Sequence, residues 1–414
     1  MTLGGNAETS VVVSGVEDVA IIACPDVSLF VHSFLRHMHF LKLTSEITPQ
    51  GTTGFNRKVT FPIPKQADLL SALYYVFVRP GIEADTASGA TGAYWTNSFG
   101  HAAILQQQFF IGGQSCQTLY GEWMEIQSEA CRSWCRSKHE TIGTRYTVAA
   151  LKNDSLSDRR YFVDSQLWFT KAPGLALPLV SVAYQSVKVE VTTRPLNEML
   201  VVEGNRFSTP LRVGQKQTVQ ETDLSMTAYI DTIYLTAEER EAILERESEY
   251  LFEEIQTNGS ETRNITGNSG SCSVRVSLDF QHLVRDIYWT VQQECKNAAH
   301  NWFAWDGLGG LDPVVSADVR INNSSHMGHP FPGEYFRIVD WEQTEKCVAK
   351  KYIYKKSFGY SSYGTQPKGH LNLTKTENNW LNLYLQAGLG SVCITIWAKG
   401  WNCMRFSGNF SRGR

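Results

Sequence analysis

Ser273-Val274-Arg275-Val276-Ser277-Leu278-Asp279-Phe280 sets four apolar side chains on one face and four polar ones on the other. Side chains repeat every two residues along a strand, so this octet reads as a half-buried β-strand with its valines, leucine and phenylalanine turned to a core. Related patterns return at Lys58–Ile63, Ser186–Thr192, Ala228–Leu235, Asp318–Asn322, His370–Thr374, Asn382–Leu385 and Ser391–Trp397. Short strands punctuated by Gly, Pro, Asn and Ser predict sandwiches or barrels. An aromatic share of 12% across 414 residues leans the same way, since aromatic side chains favour sheets and large interfaces.

Two segments break this rhythm with a helical one. Gly121–His139 places Trp123, Ile126, Ala130 and Trp134 at three- and four-residue spacing, with Cys131 and Cys135 beside them. Thr236–Glu247 is short and highly charged, and Thr236 with Glu239 three positions on makes a capping box. This second helix reads as a surface connector between two β-rich parts. The longer irregular stretches Gly81–Thr96 and Leu196–Thr222 read as functional or interface loops, as does the polar Asn258–Gly270. No fixed-period repeat is evident.

Composition excludes several classes. With 42% hydrophobic and 19% charged residues the chain is a folding sequence. The 38 Lys+Arg against 41 Asp+Glu give a net charge of -3, which removes the electrostatic case for sequence-specific nucleic-acid binding or for an anionic membrane binder. The uncharged run at 172–187 is too short to span a bilayer and holds Pro173 and Pro178; no signal peptide is read at the N-terminus. Nine cysteines, an odd number, suggest a reducing setting.

The chemistry of common enzymes is missing. Neither a nucleophile elbow nor a phosphate loop occurs, and Gly307-Leu308-Gly309-Gly310 lacks dinucleotide-loop spacing and reads as a turn. Cys131, Cys135 and His139 recur every four residues, but zinc sites draw on a second ligand pair that the sequence lacks, so the cysteines read as small buried hydrophobes. His326 and His329, and the group His32, His37 and His39, read as loop histidines without a carboxylate partner. Glu253 and Glu254 point to opposite faces of a strand and cannot act together. Lys346–Lys356, with five lysines and two interleaved tyrosines, has the composition of a single-strand nucleic-acid surface, yet it reads better as a solvated or interface-facing strand. No catalytic residue, metal site or cofactor is expected.

Several segments, in order, resemble the major capsid proteins of the nucleocytoplasmic large DNA viruses, the double jelly-roll group of chloroviruses, iridoviruses and giant viruses. They begin with Gly15-Val16-Glu17-Asp18-Val19, Pro25-Asp26-Val27-Ser28-Leu29-Phe30 and the stretch 34–40. The most specific is Ile111-Gly112-Gly113-Gln114 leading to Tyr120-Gly121-Glu122-Trp123-Met124-Glu125-Ile126. Pro173-Gly174-Leu175-Ala176-Leu177-Pro178-Leu179-Val180, Glu238-Glu239-Arg240, Glu249-Tyr250-Leu251 and Gly333-Glu334-Tyr335-Phe336-Arg337 complete the set, so the resemblance covers nearly the whole chain. It is looser at Arg160–Thr170 and from Trp401 to Arg414.

The resemblance, joined to the strand pattern, implies an all-β chain of two tandem eight-stranded antiparallel jelly rolls: residues 1–26 an inner-face segment, 27–235 the first jelly roll, 236–248 the connector helix and 249–414 the second. It implies a structural capsid protein of the virion, made in host cytoplasm and not an enzyme, whose homotrimers form pseudo-hexagonal blocks tiling an icosahedral shell. Its partners would be neighbouring capsomers, minor capsid proteins and the inner membrane side of the virion. The alternatives are a minor or vertex capsid paralogue, and a double jelly-roll glycan-binding protein or hydrolase. Among the sequons, Asn258 and Asn264 are the candidate glycosylation sites, because their segment is polar and Gly-rich.

Overall fold

The computed structural model describes residues 36–130, 138–204, 208–215, 217–245, 247–265, 271–362 and 364–406, with positions 15, 16, 24 and 32. They divide into two units, 1–39 and 40–414. In the first, the His37 ring hydrogen-bonds the Met38 carbonyl at 2.7 Å; most of segment 1–26 lies outside the described residues.

In the second unit, eight of the strands before residue 236 form the main paths of two sheets: β1 (Phe40–Ile47), β2 (Lys58–Pro62), β3 (Leu69–Arg79), β4 (Ile104–Ile111), β5 (Gln114–Tyr120), β6 (Arg159–Asp164), β7 (Val187–Thr193) and β8 (Ser225–Leu235), with Leu177–Pro178 paired beside β3. They form antiparallel sheets ordered β1-β8-β3-β6 and β2-β7-β4-β5. Eight later strands form the main paths of two more sheets: β9 (Ser248–Ile265), β10 (Ser271–Ser277), β11 (Leu283–Gln293), β12 (Val314–Ile321), β13 (Ser324–Ser325), β14 (Tyr354–Ser357), β15 (Trp380–Gln386) and β16 (Gly390–Phe406), with Phe331–Pro332 and Leu371–Asn372 paired beside β12 and β11. Their sheets are ordered β9-β16-β11-β14 and β10-β15-β12-β13. The second order is the first with eight added to every number, a duplication that no sequence period announces.

Alternation explains each core. Val59 and Phe61, Leu73, Tyr75 and Phe77, Val189 and Val191, and Ala228 and Ile230 fill the space between the first two sheets. In the second pair the opening octet behaves as read: Val274, Val276, Leu278 and Phe280 are buried against Trp289, Val319, Leu383 and Ile394. The strand itself ends at Ser277, where the ladder with β15 stops, but the alternation of burial continues.

The charged run at 236–247 is a helix on the surface. Helix α3 (Ala237–Glu245; α1 and α2 are Gly121–Ala130 and Val148–Ser155) buries no residue. It is tied down by Arg240, whose guanidinium reaches Asp68 Oδ1 at 2.7 Å. Two readings are corrected. Gly81–Thr96 and Leu196–Thr222 are not irregular throughout: Ala90–Trp95 pairs with Leu200–Gly204, and Ile82–Glu83 with Leu211–Arg212, so each supplies what the other's backbone needs. Asn258–Ile265 is no loop but the far half of β9, paired with β16, its polarity that of a strand whose outer side chains face water. Residues 266–270 lie outside the described residues.

Candidate functional site

The region where the two sheet pairs meet holds several buried charged groups, and the chain enters it from the Gly-Gly turn. Gly112 and Gly113 both take positive φ, +60° and +86°, as a two-residue turn joining β4 to β5 demands. Strand β5 then runs directly into α1 at Gly121, where a Cβ would lie 2.3 Å from the carbonyl oxygens of both His101 and Ile104; only glycine fits. That close approach seats Trp123, Ile126 and Ala130 in the core as their spacing predicts. Residues 131–137, with Cys131, Cys135 and Trp134, lie outside the described residues, and His139 is exposed. No group of three or more His, Cys, Asp or Glu suited to a metal occurs among the described residues.

Helix α1 is the floor of a seam roofed by the second sandwich. Trp123 meets Tyr288 of β11 edge to face at 5.4 Å and Trp397 of β16 at 5.8 Å, while Trp168 packs on Phe252 of β9 at 5.5 Å. Strand β11 is therefore buried on both faces, Ile287, Trp289 and Val291 toward the second core and Tyr288 toward the seam. Such pairs add about 0.5–1.5 kcal/mol each beyond the area they bury.

Three charge clusters punctuate this aromatic layer. Glu125, fully buried on α1, accepts from the His101 ring at 2.6 Å and from Ser98 at 3.2 Å, and is reached by Lys351 Nζ of the second half at 2.5 Å. Burial would push its carboxyl up, but Lys351 and the His101 hydrogen bond outweigh it and hold the group well below the usual carboxylate range. One turn on, Glu129 pairs with Lys138 at 2.7 Å and accepts the Lys350 backbone N–H at 3.0 Å.

The second cluster centres on Glu253 of β9. It binds Lys171 of the first half, Arg285 at 2.7 Å and Lys399 at 3.2 Å, and these cations overcome burial to depress its carboxyl. Glu254 faces the other way, as expected on a strand, and takes a bond from Asn402 at 3.2 Å. The third surrounds Lys355 of β14, which has no exposed surface: its ammonium donates to Glu345 (2.9 Å), Thr344 (2.7 Å) and Ser362 (2.8 Å) and lies 3.7 Å from Asp286. Against burial, Lys355 and Arg285 bring the Asp286 carboxyl down to about 2.

The lysine-rich segment is thus corrected in part: Lys355 is a buried cation of the seam, the half-buried Lys351 reaches Glu125 and Lys356 pairs with Asp340 at 3.3 Å, while Lys346 and Lys350 are exposed. Sequence reading missed this because Glu125 and Lys351 stand 226 residues apart. The remaining candidates stay apart from the seam. His326 packs on Phe358 and His329 on Phe331, and Asn258 and Asn264 are exposed on β9, Asn258 at a bulge between Thr257 and Ser260.

In each cluster one carboxylate, Glu125, Glu253 or Asp286, is held ionised by the cations around it, an arrangement that fixes geometry. Beside them a cavity of about 900 Å³ is lined by Asp164, Tyr74, Lys171 and Trp401. There burial outweighs the hydrogen bond from the Gln166 N–H and pushes the Asp164 carboxyl up to about 7.

Residues 28–236 match the family model described as major capsid protein N-terminus, and residues 239–409 that described as large eukaryotic DNA virus major capsid protein. The major capsid protein of Pyramimonas orientalis virus is 24% identical over 428 residues, covering 97% of this chain and 97% of the relative. That of Phaeocystis pouchetii virus is 28% identical over 308 residues, covering 68% of this chain and 57% of the relative, so the chain spans little more than half of that longer protein. Among solved structures, a quasi-atomic model of the PBCV-1 virus capsid superposes with a TM-score of 0.75 at 21% identity, covering 92% of this chain and 98% of the other, a likeness of fold.

Proposed function

This chain belongs to the family of large eukaryotic DNA virus major capsid proteins, and we propose that it serves as a tandem double jelly roll whose homotrimers are the pseudo-hexagonal blocks of the shell. It is a structural protein of the virion capsid and not an enzyme. The observation that carries the finer reading is the repeated strand order: two sandwiches of one topology, welded by a seam of buried ion pairs and tryptophans, make one rigid piece with two similar ends. Three such pieces about a threefold axis give six similar corners, closed by heterologous contacts that return after three copies.

On this reading residues 27–235 and 249–414 are the two jelly rolls, 236–248 the connector and 1–26 the segment at the inner face. The break between the two matched family regions, at 236 to 239, supports the division. The subunit is made in host cytoplasm. Neighbouring capsomers contact its sides, and minor capsid proteins and the inner membrane side of the virion meet its inner end. Asn258 and Asn264, both exposed, are the proposed glycosylation sites.

Light scattering on purified protein tests the trimer. The expected mass is three times 46.5 kDa, about 140 kDa, independent of dilution through the micromolar range. A monodisperse species of one chain mass at those concentrations refutes it.

A further inference from the structure

One joint of the molecule is closed within the chain, and the duplicated strand order leaves its counterpart open. Across β11 and β16 the register sets Leu283 and Val284 opposite Trp401 and Gly400, skips Arg285, and then sets Asp286, Ile287 and Tyr288 opposite Lys399, Ala398 and Trp397. Strands β3 and β8 repeat it step for step: Leu69 and Leu70 lie opposite Ile233 and Thr232, Ser71 is skipped, and Ala72, Leu73 and Tyr74 lie opposite Asp231, Ile230 and Tyr229. Tyr74 and Tyr229 therefore hold the places of Tyr288 and Trp397, on the sheet face turned away from the core. The two faces differ in their cover. Tyr288 and Trp397 are buried under Trp123 of α1, whereas Tyr74 is 40% exposed and Phe162, stacked on Tyr229 at 6.5 Å, is 41% exposed.

The covering helix has a counterpart too. A Cβ on Gly333 would lie 2.2 Å from the carbonyl oxygen of Val314, the first residue of β12, as one on Gly121 would lie 2.3 Å from that of Ile104, the first residue of β4. The two glycines thus enter their helical segments at the same point of the fold, and the residues after them correspond: Trp123 to Tyr335, Met124 to Phe336 and Ile126 to Ile338. Met124 and Phe336 are both fully buried, each in the core of its own half. Ile126 is buried as well, but Ile338 is 39% exposed and Val339 beside it 38%.

An aromatic sheet face without its helix and an apolar helical face without its sheet are the two parts of one joint, and a single chain carries both. We propose that segment 335–339 of one copy seats on the face of Tyr74, Phe162 and Tyr229 of a second copy, repeating between chains the joint that Trp123 makes within one. The surfaces differ, so the contact is heterologous, and a rotation that closes it makes a ring. The inference rests on the trimer reading and names the surfaces that close it.

The test takes full-length protein and exposed positions, which spares the core of the subunit. Tyr74→Arg and Ile338→Asp should each raise the dissociation constant of the assembly at least about thirtyfold in sedimentation equilibrium, while Tyr360→Asp, at an exposed side chain outside both surfaces, leaves it unchanged. Near-ultraviolet circular dichroism of the dissociated variants checks that the subunit is still folded. A second measurement needs no loss of assembly: Tyr74→Cys chains are co-expressed with Ile338→Cys chains, joined by a short bismaleimide and mapped by mass spectrometry. A link from position 74 of one chain to position 338 of the other is expected. A trimer that keeps its mass in both charged variants, or that gives no link from 74 to 338, overturns the inference and leaves the trimer standing. The same link in an assembly of another size keeps the joint and refutes the threefold ring, and a parent of one chain mass that gives no link overturns both.

Discussion

Replacing Lys351 by Met removes the cation that reaches Glu125 across the seam at 2.5 Å while keeping most of the side-chain volume that packs near Phe303 and Trp305. Glu125 has no exposed surface, and its remaining partners are the His101 and Ser98 donors at 2.6 and 3.2 Å. Breaking a buried pair from one side leaves an uncompensated charge, about 3–5 kcal/mol. Spread over a chain of this length, that lowers the melting temperature by roughly 5 °C. Glu125→Gln alone should cost less, about 1–3 kcal/mol, because Lys351 lies near the surface and keeps access to water. The double variant should then be more stable than the two losses added together, with a coupling of roughly 2 kcal/mol.

The assay is calorimetric unfolding of the four proteins at pH 7 and pH 3. Because the folded Glu125 carboxyl is held below its unfolded value, its contribution is fully present above about pH 4.5 and fades as pH falls below that, so the Glu125→Gln penalty should shrink at pH 3. Since the pair joins the two halves, the single variants should also broaden or split the transition. Additivity within about 0.5 kcal/mol, or a penalty that does not move with pH, refutes the view that this pair fastens the seam.

Three further outcomes follow from the packing. Asp164→Asn should stabilise the protein by up to about 4 kcal/mol at pH 8.5 and by little at pH 4, because a carboxyl raised from 3.8 to about 7 costs folding more as pH climbs through that window; equal melting shifts at the two pH values would contradict this. Gly121→Ala should abolish soluble expression or cost more than about 3 kcal/mol, since its Cβ would strike two carbonyl oxygens at 2.3 Å, whereas Gly174→Ala, with nothing within 4 Å, should be neutral in the same denaturant titration. Trp123→Ala should lose about 3–5 kcal/mol and the contacts to Tyr288 and Trp397, seen as a lower urea midpoint; a midpoint within 0.2 M of the parent would show that α1 does not carry the seam.

What could be read from the sequence was whatever neighbours along the chain decide. Alternation at 273–280 placed four side chains in a core correctly, and the charged run at Thr236–Glu247 marked an exposed helix, since both signals are local. The doubling of the strand order left no repeat in the residues because a sandwich core constrains only the apolar face of each strand, and many apolar side chains fill it equally well. Lys355 looked like a solvated residue because its carboxylate partners Asp286 and Glu345 reach it through tertiary packing, and burying a lysine is affordable only once they do. The polar stretch 258–265 was misread for a similar reason: only the pairing with β16 distinguishes an edge strand from a loop.

The most direct measurement is a cryo-electron microscopy reconstruction of the purified assembled subunit. The account expects a hexagonal block with threefold symmetry, in which six barrel-shaped densities surround the axis and alternate between the two sandwiches of each chain. A block with one barrel per chain, with the sandwiches of one chain separated instead of fastened along Trp123 and Glu125, or with no threefold axis, would contradict it.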